Sequence, residues 1–184
     1  MCRLALAPAA LLALVLAGCG TPSQPLTMAV TPAEALQVRG WVPEALKAQV
    51  ALAPVQGGLE TGRWWGSKVS ATALQQALEE SLYAVGMRPP SPEPPARFEL
   101  RAELLELEQP TVPALAVTVG AAVRYTLVDT ASGRVVYQRR IANAEEAGFT
   151  EAVVSPSERL RIANERTLRA NIGLLLRDLV TLRP

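Results

Sequence analysis

The chain has 184 residues, enough for one domain of ordinary size, and its 49% hydrophobic content suffices for a core without disulfide staples. Lys and Arg total 18 against 17 acidic residues, so no global field marks a nucleic-acid binder. There is no histidine, and Asp129 and Asp178 are the only aspartates, which removes the commonest general base and the commonest metal ligand together.

The chain opens with Met1-Cys2-Arg3, an apolar run from Leu4 to Leu16, and then Leu16-Ala17-Gly18-Cys19. A basic start, a short apolar middle and small residues before a cut site describe an export signal. A membrane-spanning helix needs about 20 apolar residues, and Gly20-Thr21-Pro22-Ser23-Gln24-Pro25 ends this run early. Leu16-Ala17-Gly18-Cys19 resembles the bacterial lipoprotein signal, the lipobox. That resemblance implies cleavage before Cys19 and lipid attachment to it, with residues 1–18 as the signal peptide. Acyl chains would then hold the protein to a membrane, each buried methylene contributing about 0.8 kcal/mol. Gly20 stands where an aspartate would, by resemblance, retain the protein at the inner membrane, so the periplasmic face of the outer membrane is the expected location. Cys2 departs with the signal and Cys19 is consumed by the lipid, leaving no thiol for a disulfide, metal site or nucleophile. Removal of Arg3 leaves 17 basic and 17 acidic residues.

From Gly20 to about Val38 the sequence is rich in Pro, Thr, Ser and Ala without a sustained period, which reads as a tether; residues 19–45 are the expected lipidated N-terminus and linker. A coil of about twenty residues spans roughly 25 Å. Pro32 to Leu36 and Pro43 to Ala48 have the composition for a helical turn each. The remainder, 46–184, reads as one periplasmic domain.

Gln49 to Val55 reads as a first strand, with Pro54 confined to its end or to an edge because it lacks an amide donor. After a loop from Gly57 to Gly66, Ser67 or Ser70 caps a helix. Its apolar face is Val69, Ala73, Leu74, Ala77, Leu78, Leu82 and Val85, and Gly86 stops it. Pro89 to Pro95 is a stiff proline-rich spacer, or a place for a partner to dock. Phe98, Leu100, Ala102 and Leu104 alternate with charged residues as a half-exposed strand. The clearest strand follows, with Leu115, Val117, Val119, Ala121, Val123, Tyr125 and Leu127 on one face. Asp129 to Gly133 makes a turn, and Arg134 to Ile141 returns as a hairpin partner. Ser155-Pro156-Ser157-Glu158 announces the last helix as a capping box, and helical spacing from Leu160 to Leu182 carries it for about 40 Å.

The order is strand, helix, strand, strand, strand, helix. Strands joined by short turns pair antiparallel, and the first enters through a helical crossover, so the sheet is mixed. The expected fold is α+β: a two-layer sandwich of about four strands, with two helices on one face and the other face at least partly open.

Several residues invite a chemical reading. Gly62-Arg63-Trp64-Trp65-Gly66-Ser67-Lys68 lies between a strand and a helix, but a phosphate loop needs four residues between its glycines and Lys before Ser or Thr. Trp64 and Trp65 are either a core lid with one ring on the surface, or a contact for lipid or protein, with Arg63 placed to meet a headgroup phosphate. Asn164 and Asn171 sit near the apolar stripe of the last helix and need partners if buried. Glu103, Glu106, Glu108, Glu145 and Glu146 read as solvated charges rather than acid–base pairs, and Arg139-Arg140 as a solvated strand end.

The lipobox, the short strand, the Trp-containing loop leading into Ser70-Ala71-Thr72-Ala73-Leu74-Gln75-Gln76-Ala77-Leu78, the antiparallel strands and the closing helix together resemble the ABC-type transport auxiliary lipoproteins of Gram-negative bacteria. The likeness covers about Gln49 to Leu182 and is one of layout. It implies a non-catalytic accessory or adaptor of an envelope lipid-transport or assembly system. Its partners would be the membrane, through lipid on Cys19, and an envelope protein or phospholipid, without nucleic acid, metal or cofactor. A cell-wall-binding structural lipoprotein is the alternative, and an enzyme of lipid or cell-wall chemistry a more remote one.

Overall fold

A computed structural model describes residues 21–61, 66–112, 114–153 and 155–184. Among the described residues four α-helices and five strands follow one another: α1 (Pro25–Met28), α2 (Pro32–Arg39), β1 (Val50–Leu52), β2 (Gln56–Gly57), α3 (Ala71–Ala84), β3 (Phe98–Glu108), β4 (Val117–Asp129), β5 (Val135–Ala147) and α4 (Pro156–Leu179). The sheet runs in the order β1, β3, β4, β5, with β2 continuing the line of β1 along β3. β1 and β2 are parallel to β3, while β3, β4 and β5 form an antiparallel meander. The mixed two-layer sandwich expected from the element order is therefore the observed architecture.

Strand β4 shows why the layers form. Val117, Val119, Ala121, Val123, Tyr125 and Leu127 are buried beneath the helices, and Thr118 and Arg124 between them are exposed. Register carries the pattern sideways, aligning Leu100 with Leu127 and Tyr137, and Leu104 with Val123 and Ile141. A bulge at Leu105 resets the alternation, so that Leu107 returns to the covered side opposite Ala121.

Helix α3 is capped by Ser70, whose hydroxyl accepts from the Ala73 amide at 3.1 Å, and it buries Ala73, Leu74, Ala77, Leu78 and Leu82 against the sheet. Gly86, at φ +79°, turns the chain where a side chain would strain the backbone. Helix α4 begins at Ser155, which accepts from the Glu158 amide at 3.2 Å. Only half of the expected capping box forms, because the Glu158 carboxylate pairs with Arg161 instead. Leu160, Ala163, Leu168, Ile172, Leu175, Leu176 and Leu179 are buried along one face of α4.

Other expectations need correction. The first strand is interrupted: the chain leaves the sheet at Ala53 and Pro54 and rejoins as β2. Leu115 is 71% exposed and precedes β4 rather than extending its core face. β5 continues six residues past Ile141, so Arg139 and Arg140 lie mid-strand. The largest difference is at the N-terminus, where the segment expected as a tether is packed from Ser23 onward. Met28, Val30, Ala35, Val42 and Leu46 join the main core. Thr31 and Glu34 form a reciprocal capping box for α2, and Ser81 of α3 accepts from the Val30 amide at 3.1 Å. Apolar residues spaced irregularly among prolines carry no period, yet together they cap the outer side of α3 and α4. Among the described residues no helix is long and apolar enough to cross a membrane.

Candidate interaction surfaces

The helix-free side of the sheet is the first candidate. Its side chains come in rows set by register: Arg101 with Thr126 and Gln138, Glu103 with Arg124 and Arg140, Glu106 with Ala122 and Ala142, Glu108 with Gly120 and Ala144. Arg124 donates to Glu103 at 2.7 Å and Arg140 to Glu106 at 2.8 Å. Arg101 donates to its own-strand neighbour Glu99 at 2.7 Å. These pairs are half-exposed, so each holds its geometry weakly. Two shallow recesses flank them. One of about 330 Å³ lies between Pro54, Gln56, Arg101 and Arg124, where the chain leaves the sheet between β1 and β2. The other, about 390 Å³, is floored by Gly120, Ala122, Ala142 and Ala144. The sequence anticipated solvated carboxylates here, and Glu103 and Glu106 are solvated but each is held by an arginine.

The opposite side hides two polar clusters on α4. Asn171 accepts from the buried Tyr125 hydroxyl at 2.9 Å and donates to the Ile141 carbonyl at 3.1 Å and to Asn143 Oδ1 at 2.7 Å. Burial holds the Tyr125 hydroxyl well above the ordinary tyrosine range. Nearby, Tyr137 donates to Asp178 at 2.6 Å, and partial burial together with that carboxylate pushes its pKa up as well. Asp178 also receives Arg139, which it keeps more firmly protonated.

Asn164 is the hub of the second cluster. Its amide nitrogen donates to Ser23 Oγ at 3.3 Å and to the Ser67 carbonyl and hydroxyl at 3.2 Å each, while its oxygen accepts from Gln109 at 2.7 Å. Gln109 also donates to the Ser67 carbonyl at 2.7 Å and accepts from Lys68 Nζ at 2.6 Å. The Ser23 amide donates to the Lys68 carbonyl at 3.4 Å. Both asparagines thus serve the structural use their burial demanded. Ser67, a candidate helix cap in the sequence, serves this cluster while Ser70 caps α3, and nothing local tied Ser23, Ser67 or Gln109 to Asn164, because they lie 141, 97 and 55 residues from it.

Cys19, Arg63, Trp64 and Trp65 lie outside the described residues. The Trp loop is flanked by Thr61, which accepts from the Lys68 amide at 2.9 Å, and by Ser67 in the Asn164 cluster. Among the described residues no group of three or more Cys, Asp or Glu side chains is placed to hold a metal ion. Asp129 is the most constrained carboxylate: the backbone amide and hydroxyl of Ser132, with Arg97, hold it below its usual range, and it organises the β4–β5 turn.

No protein-family model matches the sequence, and neither does any curated protein. Solved structures do share the fold. A Xanthomonas campestris protein of the DUF330 family superposes with a TM-score of 0.54 at 13% identity, over 76% of this chain and 90% of that one. A candidate lipoprotein of Caulobacter crescentus CB15 superposes with a TM-score of 0.50 at 15% identity, over 79% of this chain and 93% of that one. At such identities the likeness is one of fold, which this chain shares with bacterial proteins of dissimilar sequence.

Proposed function

We propose that the protein is a lipid-anchored envelope lipoprotein that acts without catalysis, as an accessory or adaptor of a lipid-transport or assembly system at the periplasmic face of the outer membrane. The observation that carries the reading is Leu16-Ala17-Gly18-Cys19 at the end of an export signal. The fold shared with a structure described as a candidate lipoprotein supports it. Lipid on Cys19 confines the domain beside its partners and raises their effective concentration, so that weak, exchangeable contacts suffice. The open sheet face suits such contacts, with half-exposed ion pairs around a floor of small residues. Arg63, Trp64 and Trp65 are proposed as a further contact with lipid or protein.

Cys19→Ala tests the reading. The variant loses membrane association and in-cell function while its circular dichroism and melting curve stay unchanged. A soluble variant that works equally well refutes tethered action. Crosslinking in the native envelope from a photoreactive residue at Ala142, on the open face, recovers transporter subunits if the adaptor role is correct. Recovery of peptidoglycan instead assigns the protein to the cell wall.

A further inference from the structure

The end of the sheet where β3 finishes and β4 starts carries exposed apolar residues on two neighbouring loops. Val112 and Leu115 belong to the β3–β4 connection, and Phe149 and Val153 to the β5–α4 connection. The buried guanidinium of Arg159, on the first turn of α4, binds the loops together. It donates to the Ala114 carbonyl at 3.2 and 3.0 Å and to the Ala152 carbonyl, and lies 5.5 Å from the Phe149 ring centroid. Leu115 and Val153 are therefore the chain neighbours of the two carbonyls that one cation holds. At this end Glu151 pairs with Arg166, while Glu158 and Glu165 share Arg161, so each of these carboxylates faces a guanidinium.

The N-terminal chain emerges beside this apron. Ser23 is fixed by Asn164, five residues along α4 from Arg159, which is about 7.5 Å along a helix. Three residues lie between Cys19 and Ser23, and the four steps that join them reach at most about 14 Å. An acyl chain on Cys19 can thus enter a bilayer level with the apolar loops, and the absence of a long linker prevents the domain from standing off.

We infer that Val112, Leu115, Phe149 and Val153 form a membrane-docking face that rests in the headgroup region of the bilayer holding the lipid anchor. This rests on the lipid-anchor reading and adds an orientation to it: the sheet's strands run away from the membrane, and the β4–β5 turn at Asp129–Arg134 points into the periplasm. Apolar side chains at an interface add to the affinity of an acyl anchor.

The mature chain offers no competing thiol under that reading, so single cysteines report position. Leu115→Cys, Val153→Cys and, at the far turn, Ala131→Cys are made in the full chain, purified from membranes, labelled with an environment-sensitive fluorophore and reconstituted in phosphatidylethanolamine–phosphatidylglycerol vesicles. Lipids spin-labelled near the headgroup quench positions 115 and 153 at least twofold more than position 131. Acylated protein with equal quenching at all three positions overturns the docking face and leaves the anchor standing. Labels at 115 and 153 that are dehydrated but unquenched assign the face to a protein partner or a second copy, which also overturns it. Mass spectrometry showing no acyl chain removes the anchor reading and this inference with it. Val112→Cys repeats the measurement should either loop variant fail to fold.

Discussion

The two sides of this sheet are built from the same three long strands, yet they hold their polar groups in opposite ways. On the covered side Tyr125, Asn171 and Asn164 are fully buried, and their side-chain hydrogen bonds tie them to other segments of the chain. On the open side Arg124, Glu103, Arg140 and Glu106 are ion-paired but half in water. A buried polar group that loses its partner bears the whole cost of desolvation, whereas an exposed pair that breaks is rehydrated. The covered side therefore specifies the fold, and the open side is free to vary with function.

The contrast is tested most severely in the apolar part of the covered side. Phe98→Ala empties a fully buried ring site in the main core, and the expected loss is about 3–5 kcal/mol in chemical denaturation. A loss below about 1 kcal/mol would mean that this layer is loosely packed. Asn171→Ala comes next, at about 1–3 kcal/mol, since it strands the Tyr125 hydroxyl and the Ile141 carbonyl together. Adding Tyr125→Phe to that variant costs less than it does alone, because the hydroxyl no longer has a partner to lose.

A pH series separates regions by their carboxylates. Asp129, Glu151 and Glu158 are held below their usual values by the Ser132 amide, by Arg166 and by Arg161 respectively. A carboxylate whose pKa is lowered by folding stabilises fully above its unfolded value, about 3.9 for Asp and 4.3 for Glu, and that contribution disappears as the pH falls through the folded value. Stability accordingly declines below about pH 4, and Asp129→Asn flattens only part of the slope in denaturant midpoints measured against pH. The smallest effect belongs to the open side: a double-mutant cycle on Arg124→Ala and Glu103→Ala yields a coupling of no more than about 1 kcal/mol. A much larger coupling would make this face structural and unsuited to exchange partners.

The long periodic elements were legible before any coordinates. Ala73 to Leu82, the alternation from Val117 to Leu127 and the run from Leu160 to Leu179 each repeat at one spacing, and each buries the face so marked. The turn at Gly133 and the stop at Gly86 were legible for a related reason, since both take the positive φ that glycine favours. The segment from Ser23 to Leu46 was not, because its buried residues are anchored one at a time by α3 and α4 rather than by any period of their own. Leu115 was misplaced for the converse reason: it keeps the alternation of β4 after the strand itself has ended. Of the surfaces, a partly open sheet face and solvated glutamates were readable, but the pairing of Arg124 with Glu103 and of Arg140 with Glu106 depends on strand register.

By itself the sequence determined the types and order of the long periodic elements and a histidine-free chemistry, since periodicity, capping residues and composition are local properties. Tertiary structure alone decided that Ser23, Ser67, Gln109 and Asn164 meet, that Arg159 ties two apolar loops together, and that the N-terminal segment belongs to the core. Those contacts join residues tens of positions apart, and no local pattern encodes a distance that only packing sets.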